Sequence, residues 1–394
     1  MDPSLLALFL TAGLASLFMA WVIGAGSSGA TPFAPAVGAN AVSTMRAAFV
    51  VGVFGFLGAV VQGANVSETV GQGLVGGVTL PATGVIAVLL IGAGLMAVGI
   101  HTGYPIATAF TVTGAVVGVG LALGGTPVWG TYRQVGAVWL LTPVVGGGLA
   151  YGIASVLPRE DAPERVCIPA LAGLVGAVLA NVGFAGLGPG GTPGSVAGLT
   201  QRWLAPGSAV VPAAVTLGVA LAVAALVRWD VSRDEAGGLR RVLLALGSLV
   251  AFSAGGSQVG LAVGPLLPLL DDVGLVTPAA ILVGGGAGML VGSWTGAPRM
   301  IKALARDYSS LGPRRSIAAL VPSFLLAQLA VLLGVPVSFN EIVVSAIIGS
   351  GAAVGGSSAV SARKISMTVG AWAGSFALAF GLGYGLVAFS PMLG

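Results

Sequence analysis

The chain has one cysteine and one histidine among 394 residues, and only 7% of its residues are charged. Each scarcity excludes something. A lone Cys167 cannot close an internal disulfide or build a cysteine-rich metal site. With His101 as the other candidate ligand, and no His/Cys/carboxylate grouping inside an apolar run, the chain offers neither a metal cluster nor a nucleophile with its base. That argues against a membrane-embedded enzyme and implies no cofactor. Soluble domains carry roughly 25% charged residues; a chain that is 7% charged and 56% hydrophobic, with a mean hydropathy of +1.03, is not one of them. The net charge of +4 sits in short stretches between apolar runs, so it bears on topology rather than on nucleic acid.

What the chain has in quantity is glycine, 66 residues of it. Small residues suit helices that approach backbone to backbone in lipid, where the hydrophobic effect no longer drives association. The expected fold is an all-α polytopic membrane protein. Apolar runs of bilayer-spanning length fall near 4–24, 46–63, 81–99, 104–123, 133–156, 168–187, 208–227, 238–257, 277–296, 316–334, 341–357 and 365–390, twelve in all. The first run lacks a basic leader and reads as a retained helix. With the N-terminus outside, the inner connections hold Arg46, Arg159, Arg165, Arg228, Arg233, Arg240, Arg241, Arg299, Lys302, Arg306, Arg314, Arg315, Arg363 and Lys364, and the outer ones hold Arg133 and Arg202. Lysine and arginine are retained on the cytoplasmic side, which fixes that orientation in the cell membrane.

The chain also repeats itself. Ala25-Gly-Ser-Ser-Gly-Ala-Thr-Pro-Phe-Ala-Pro35 lies over Gly255-Gly-Ser-Gln-Val-Gly-Leu-Ala-Val-Gly-Pro265, which places Ser27 on Ser257, Ser28 on Gln258 and Pro35 on Pro265. A second pair keeps nearly the same offset: Pro105 to Gly120 lies over Pro336 to Gly351, with Val112/Val343, Ala115/Ala346, Gly118/Gly349 and Gly120/Gly351 in register. Seven crossings separate the two starts, so the repeats enter the membrane in opposite senses. The expected division is 1–157 for the first transport repeat, 158–237 for linking helices and 238–394 for the second, inverted repeat. The small and hydrogen-bonding residues from Ser253 to Pro265 are expected to break or re-enter their helix.

Inverted repeats with broken helices are the architecture of secondary transporters, which place substrate where the helices break. A break in hydrocarbon leaves backbone groups unpaired unless they are buried in protein or line a wet cavity. Helix N-termini exposed there carry free N–H donors and partial positive charge, which suit an anion. No basic residue falls inside a motif, so the donors for such an anion are backbone N–H groups with Ser27, Ser28, Thr31, Thr108, Ser257, Gln258, Ser338, Asn340 and Ser345. Eleven of the twelve acids, from Asp2 and Glu68 through Glu160, Asp161, Glu164, Asp230, Asp234, Glu235, Asp271 and Asp272 to Asp307, read as loop residues; Glu341 alone lies in a motif. Away from water the charged carboxylate is disfavoured, so Glu341 is the candidate proton carrier. Gly24-Ala-Gly-Ser-Ser-Gly29 matches a dinucleotide fingerprint but follows a membrane helix rather than a strand.

At these residues the chain resembles the PiT family of inorganic phosphate transporters, whose repeats carry a Gly-Ala-Asn-Asp-x-x-Asn signature and a Pro-x-Ser-Thr-Thr-His type segment. Residues 25–31 and 255–261 stand at the first signature, and 106–110 and 337–341 at the second. The resemblance implies a permease for an inorganic oxyanion, most simply phosphate. Two aspartates that sodium-coupled members would use are replaced by Ser28 and Gln258, which disfavours sodium and leaves a proton as the expected coupling ion. Ser28-Gly-Ala30 and Glu341 look more like the sulfate-permease branch, so sulfate is the alternative substrate. The expected partners are then the oxyanion, the proton and the lipid bilayer, and a homodimer is compatible with them. A passive anion channel is the rival outside this class, marked by flux that neither saturates nor follows a proton gradient.

Overall fold

A computed structural model describes residues 3–157, 164–189, 192–273, 276–355 and 360–390. Asp2, Arg159, Glu160 and Asp161, read above as loop residues, lie outside that set. The first part of the chain runs α1 (Pro3–Gly26), α2 (Ala34–Gly38), α3 (Thr44–Gln62), α4 (Ala64–Gln72), strand β1 (Val75–Gly76), α5 (Ala82–Thr102), α6 (Thr108–Ala122), strand β2 (Thr126–Pro127) and α7 (Trp129–Val156). Next come α8 (Glu164–Asn181), α9 (Val196–Leu204) and α10 (Val210–Arg233). The last part runs α11 (Glu235–Val263), a 3₁₀ turn (Gly264–Leu266), α12 (Leu267–Val273), α13 (Pro278–Thr295), α14 (Ala297–Arg306), α15 (Pro313–Leu333), α16 (Phe339–Gly355) and α17 (Ala362–Phe389).

Among the described residues, nine helices are long and apolar enough to cross a membrane, and three shorter apolar ones, within α6, α8 and α16, complete the twelve runs read from the sequence. The short ones matter most. α6 has 15 residues and α16 has 17; at 1.5 Å per residue each falls short of a bilayer core of about 30 Å. Both follow a proline and an extended segment, Pro105–Ala107 and Pro336–Ser338. Proline has no N–H and biases the residue before it away from helix, so each short helix begins inside the protein.

The repeats interlock by exchange. α1 packs on α13 and α11 on α3; α6 packs on α17 and α16 on α7; α14 packs on α2, and α4 on the 3₁₀ turn. Each contact has a counterpart with the repeats swapped. Even the strand pair β1–β2, which aligns Gly76 with Thr126, is matched by an isolated bridge between Ser309 and Val360. Glycine makes the crossings possible: a Cβ on Gly24 would strike the Met289 carbonyl, on Gly292 the Trp21 carbonyl, on Gly58 the Phe252 carbonyl and on Gly255 the Gly55 carbonyl. Glycines at a four-residue spacing differ in use: Gly114 and Gly118 of α6 meet the α17 backbone at Phe376 and Phe380, whereas Gly288 meets α1 and Gly284 faces open space.

Two expectations change. The helix carrying Ser253 to Val263 does not break among its polar residues; α11 stays helical to Val263, and the interruption is the 3₁₀ turn at Gly264–Leu266. Serine and glutamine leave the backbone ladder intact, and Ser253 returns its hydroxyl to the Leu249 carbonyl at 2.9 Å. Only Pro265 removes a donor. The first repeat behaves differently, since α1 ends at Gly26 and a non-helical stretch separates it from α2. In addition, some acids assigned to loops lie on helices, Glu68 on α4 and Asp230 near the end of α10, and His101 sits in the last turn of α5.

Candidate functional site

The four stretches singled out by the repeat are joined by one chain of hydrogen bonds. Ser27 Oγ, just past the end of α1, donates to Gln258 Oε1 on α11 at 2.9 Å. Gln258 Nε2 in turn donates to the Val337 carbonyl at 2.5 Å, in the extended lead to α16. Asn340, in the first turn of α16, donates from Nδ2 to the Gly26 carbonyl at 3.1 Å and to the Ile106 carbonyl at 2.7 Å, in the lead to α6. The ends of α1 and α11 and the beginnings of α6 and α16 therefore meet at one place.

Each side chain there follows from its local structure. Thr108 opens α6, so its hydroxyl sits beside the helix's unpaired first N–H groups. Ser338 precedes α16, and its Oγ accepts the Glu341 N–H at 3.4 Å while its carbonyl accepts from Ile342 N–H at 3.0 Å. That is the bonding of an N-cap. Glu341 is 1% exposed and is the only acid in the buried set among the described residues, which holds no Lys, Arg or His either. Ser345 lies one turn further along α16 and is buried.

Two predicted donors turn away. Ser28 Oγ donates to the Ile23 carbonyl at 3.4 Å and Thr31 Oγ1 to the Ser27 carbonyl at 3.1 Å, so both serve the turn that ends α1. By contrast, among the described residues six buried side-chain atoms have no hydrogen-bond partner, and four of them belong to predicted site residues: Thr108 Oγ1, Ser257 Oγ, Asn340 Oδ1 and Glu341 Oε2. The remaining two, Thr113 Oγ1 and Tyr132 Oη, belong to residues outside the predicted site. An unpaired buried polar group costs about 1–3 kcal/mol, so a cluster of them marks a place built to meet something polar. Hydroxyls and helix-start N–H groups can hold an oxyanion, and the two unpaired acceptor oxygens can hold a proton or a cation.

Sequence reasoning missed two features. Gln62 of α3 and Gln328 of α15 form a buried amide pair, with Gln62 Nε2 donating to the Gly183 carbonyl at 2.9 Å and Gln328 Nε2 to Ser253 Oγ at 2.6 Å. A glutamine inside an otherwise apolar run was the available signal. The other feature is a pair of tryptophans, Trp139 on α7 and Trp372 on α17, whose indoles donate to Pro336 and Pro105 carbonyls; they stand at the same position of two helices of equal length, a match that the sequence register, which sets Trp139 over Gly370, does not give.

Comparison with known proteins agrees with this architecture. A solved structure described as the sodium-dependent phosphate transporter has the same fold, with a TM-score of 0.79 over 97% of this chain and 98% of that one, at 23% identity. A Pyrococcus abyssi protein that bears the provisional name of phosphate permease is 29% identical over 382 residues, 90% of each chain, and its Thermococcus kodakarensis counterpart is 27% identical over 381 residues, again 90% of each. The Arabidopsis thaliana chloroplastic inorganic phosphate transporter 2-1 is 25% identical over 91% of this chain and 68% of its own length. These names give no support to sulfate. The family model described as the phosphate transporter family matches residues 23–383, which takes in most of the chain and every predicted site residue. This multi-pass membrane protein, a transporter and not an enzyme, therefore belongs to the phosphate transporter family.

Proposed function

We propose that the protein is a secondary active permease for inorganic phosphate, with residues 1–157 and 238–394 as its transport repeats and 158–237 as the link between them. The observation that carries this reading is the meeting of both repeats at unpaired buried groups, Thr108 Oγ1, Ser257 Oγ, Asn340 Oδ1 and Glu341 Oε2. Phosphate binds there through hydroxyls and the N–H groups that open α6 and α16, with Ser27, Gln258, Ser338 and Asn340 holding those elements in place and Ser28 and Thr31 shaping the turn beside them. No buried lysine or arginine is among the described residues; an anion released from donors alone is not trapped by a fixed positive charge.

Coupling follows from charge. Moving an anion into a negative interior is opposed by about 2.3 kcal/mol per charge per 100 mV, so a cation must travel with it. Glu341 carries a proton: neutral when loaded, it adds no charge beside phosphate. Sodium is the competing reading, because the structural neighbour is named for it and because Asn340 Oδ1 and Glu341 Oε2 are the oxygen ligands a hard cation prefers. Uptake of labelled phosphate and of labelled sulfate into proteoliposomes, under an imposed proton or sodium gradient, decides among them. Phosphate accumulation under the proton gradient alone supports the reading; accumulation under sodium alone replaces the coupling ion, and uptake of sulfate instead of phosphate replaces the substrate.

A further inference from the structure

The two tryptophans missed in the sequence form a matched pair. Trp139 Nε1 of the first repeat donates to the Pro336 carbonyl of the second at 2.9 Å, and Trp372 Nε1 of the second donates to the Pro105 carbonyl of the first at 2.8 Å. Pro105 and Pro336 are themselves equivalent in the repeat. Each bond is thus the other with the repeats exchanged.

We propose that Trp139 and Trp372 are positioning residues for the phosphate site, each fixing from the opposite repeat the extended segment that sets down a short helix. The next carbonyl along each segment carries the argument. After Pro105, the Ile106 carbonyl accepts from Asn340 Nδ2; after Pro336, the Val337 carbonyl accepts from Gln258 Nε2. In both segments, then, one carbonyl is held by an indole and its neighbour by a site amide, and the unpaired Thr108 hydroxyl and the Ser338–Glu341 turn follow at once. Extended backbone inside a membrane protein has no ladder of its own, so its carbonyls need donors from elsewhere. The indole N–H is a donor only and satisfies one without competing for substrate.

The rings are held as firmly as the bonds. Trp139 stacks on Phe110 in the first turn of α6, with centroids 3.9 Å apart and planes 21° apart, and meets Phe376 of α17 edge-on at 6.1 Å. One side chain therefore meets α6 by stacking, α17 in a T-shaped contact and the lead to α16 by its N–H. Trp372 is buried at 6% exposure. In the register of the repeats, Glu341 stands where Phe110 stands, so the second repeat has a carboxyl group at the position that stacks on tryptophan in the first. That difference separates the roles of the two short helices while their anchors stay the same.

The inference rests on reading this place as the phosphate site, and two readouts keep the claims apart. Trp139→Phe and Trp372→Phe remove the N–H and keep a ring; a tryptophan analogue with sulfur in place of the indole N–H, introduced at the same positions, keeps the full shape. In proteoliposomes the KM for phosphate is expected to rise about two- to tenfold per site, the range set by loss of one buried neutral hydrogen bond, with kcat unchanged and the melting temperature lowered, because one buried carbonyl loses its donor. Hydrogen exchange across 105–109 and 336–340 is expected to quicken in the variant of the matching segment only. If both analogue variants keep the parental exchange rates, the clamp is refuted. Faster exchange with an unchanged KM for phosphate confines the pair to packing and overturns the positioning role. A parent protein that takes up no phosphate faults the substrate reading, and the exchange rates still decide the clamp.

Discussion

Ser27 and Gln258 lie 231 positions apart and meet through a 2.9 Å hydrogen bond between Ser27 Oγ and Gln258 Oε1, which joins the end of α1 to α11. Because Gln258 also holds the Val337 carbonyl, one amide ties three of the four repeated stretches. Gln258→Leu leaves the Ser27 hydroxyl and the Val337 carbonyl buried without partners, at about 1–3 kcal/mol each. The expected result is a lower melting temperature in detergent together with loss of phosphate uptake. Unchanged uptake would remove Gln258 from the site.

Asn340→Asp is nearly isosteric but replaces a donor that serves two carbonyls, Gly26 and Ile106, with an acceptor. Repulsion at both contacts should weaken phosphate binding by at least about tenfold, since each tenfold step is 1.4 kcal/mol. Isothermal titration on purified protein measures it, and Asn340→Ala should be milder because it adds no negative charge.

Glu341→Gln imitates the protonated carboxyl group. Exchange of labelled phosphate across the membrane is expected to persist, and accumulation driven by a pH gradient is expected to disappear. A variant that still concentrates phosphate under that gradient would sink the coupling role.

Close packing separates glycines that look alike in sequence. Gly255→Val drives a side chain into the Gly55 carbonyl where α11 crosses α3, and should abolish folded protein; Gly284→Ala meets open space and should change stability by about 1 kcal/mol or less, the glycine-to-alanine difference in helix propensity. Size-exclusion profiles and thermal melts compare the two. Equal damage at both positions would show that the helix crossings are not as described.

Orientation is testable from outside the cell. After replacement of Cys167, a cysteine at position 306 should resist a membrane-impermeant thiol reagent in intact cells and one at position 202 should react, as the distribution of basic residues requires. Connections assigned to one side do lie together: Lys364 Nζ sits 3.2 Å from Asp307 Oδ2 and 3.4 Å from the Gly103 carbonyl. Strong labelling at 306 would invert the orientation.

Tyr308, between α14 and α15, donates or accepts at Thr368 Oγ1 at 2.7 Å, and burial holds its phenol above the usual tyrosine range. Its neutral form is therefore favoured in the folded protein, so the stability it contributes is complete below the unfolded value of about 10 and declines as pH rises beyond it. Melting curves at increasing alkaline pH should fall for the parent and fall less for Tyr308→Phe.

The membrane class, the twelve apolar runs, the duplication and the equivalence of Pro105 with Pro336 were legible in the sequence. Partition into lipid is a sum over neighbouring residues, and a duplication leaves its register in the order of residues; neither needs a partner to be known. The polar residues of the site were legible for the same reason, as exceptions within apolar runs. Which way they turn was not. Ser27 reaches Gln258 while Ser28, its neighbour, returns to Ile23, and α11 stays helical past Gln258, because hydrogen-bond partners are chosen by the packing of segments more than 200 positions apart. The indoles of Trp139 and Trp372 show the same limit: residue type says that each must donate, and only the exchange of helices between the repeats brings the Pro336 and Pro105 carbonyls within reach.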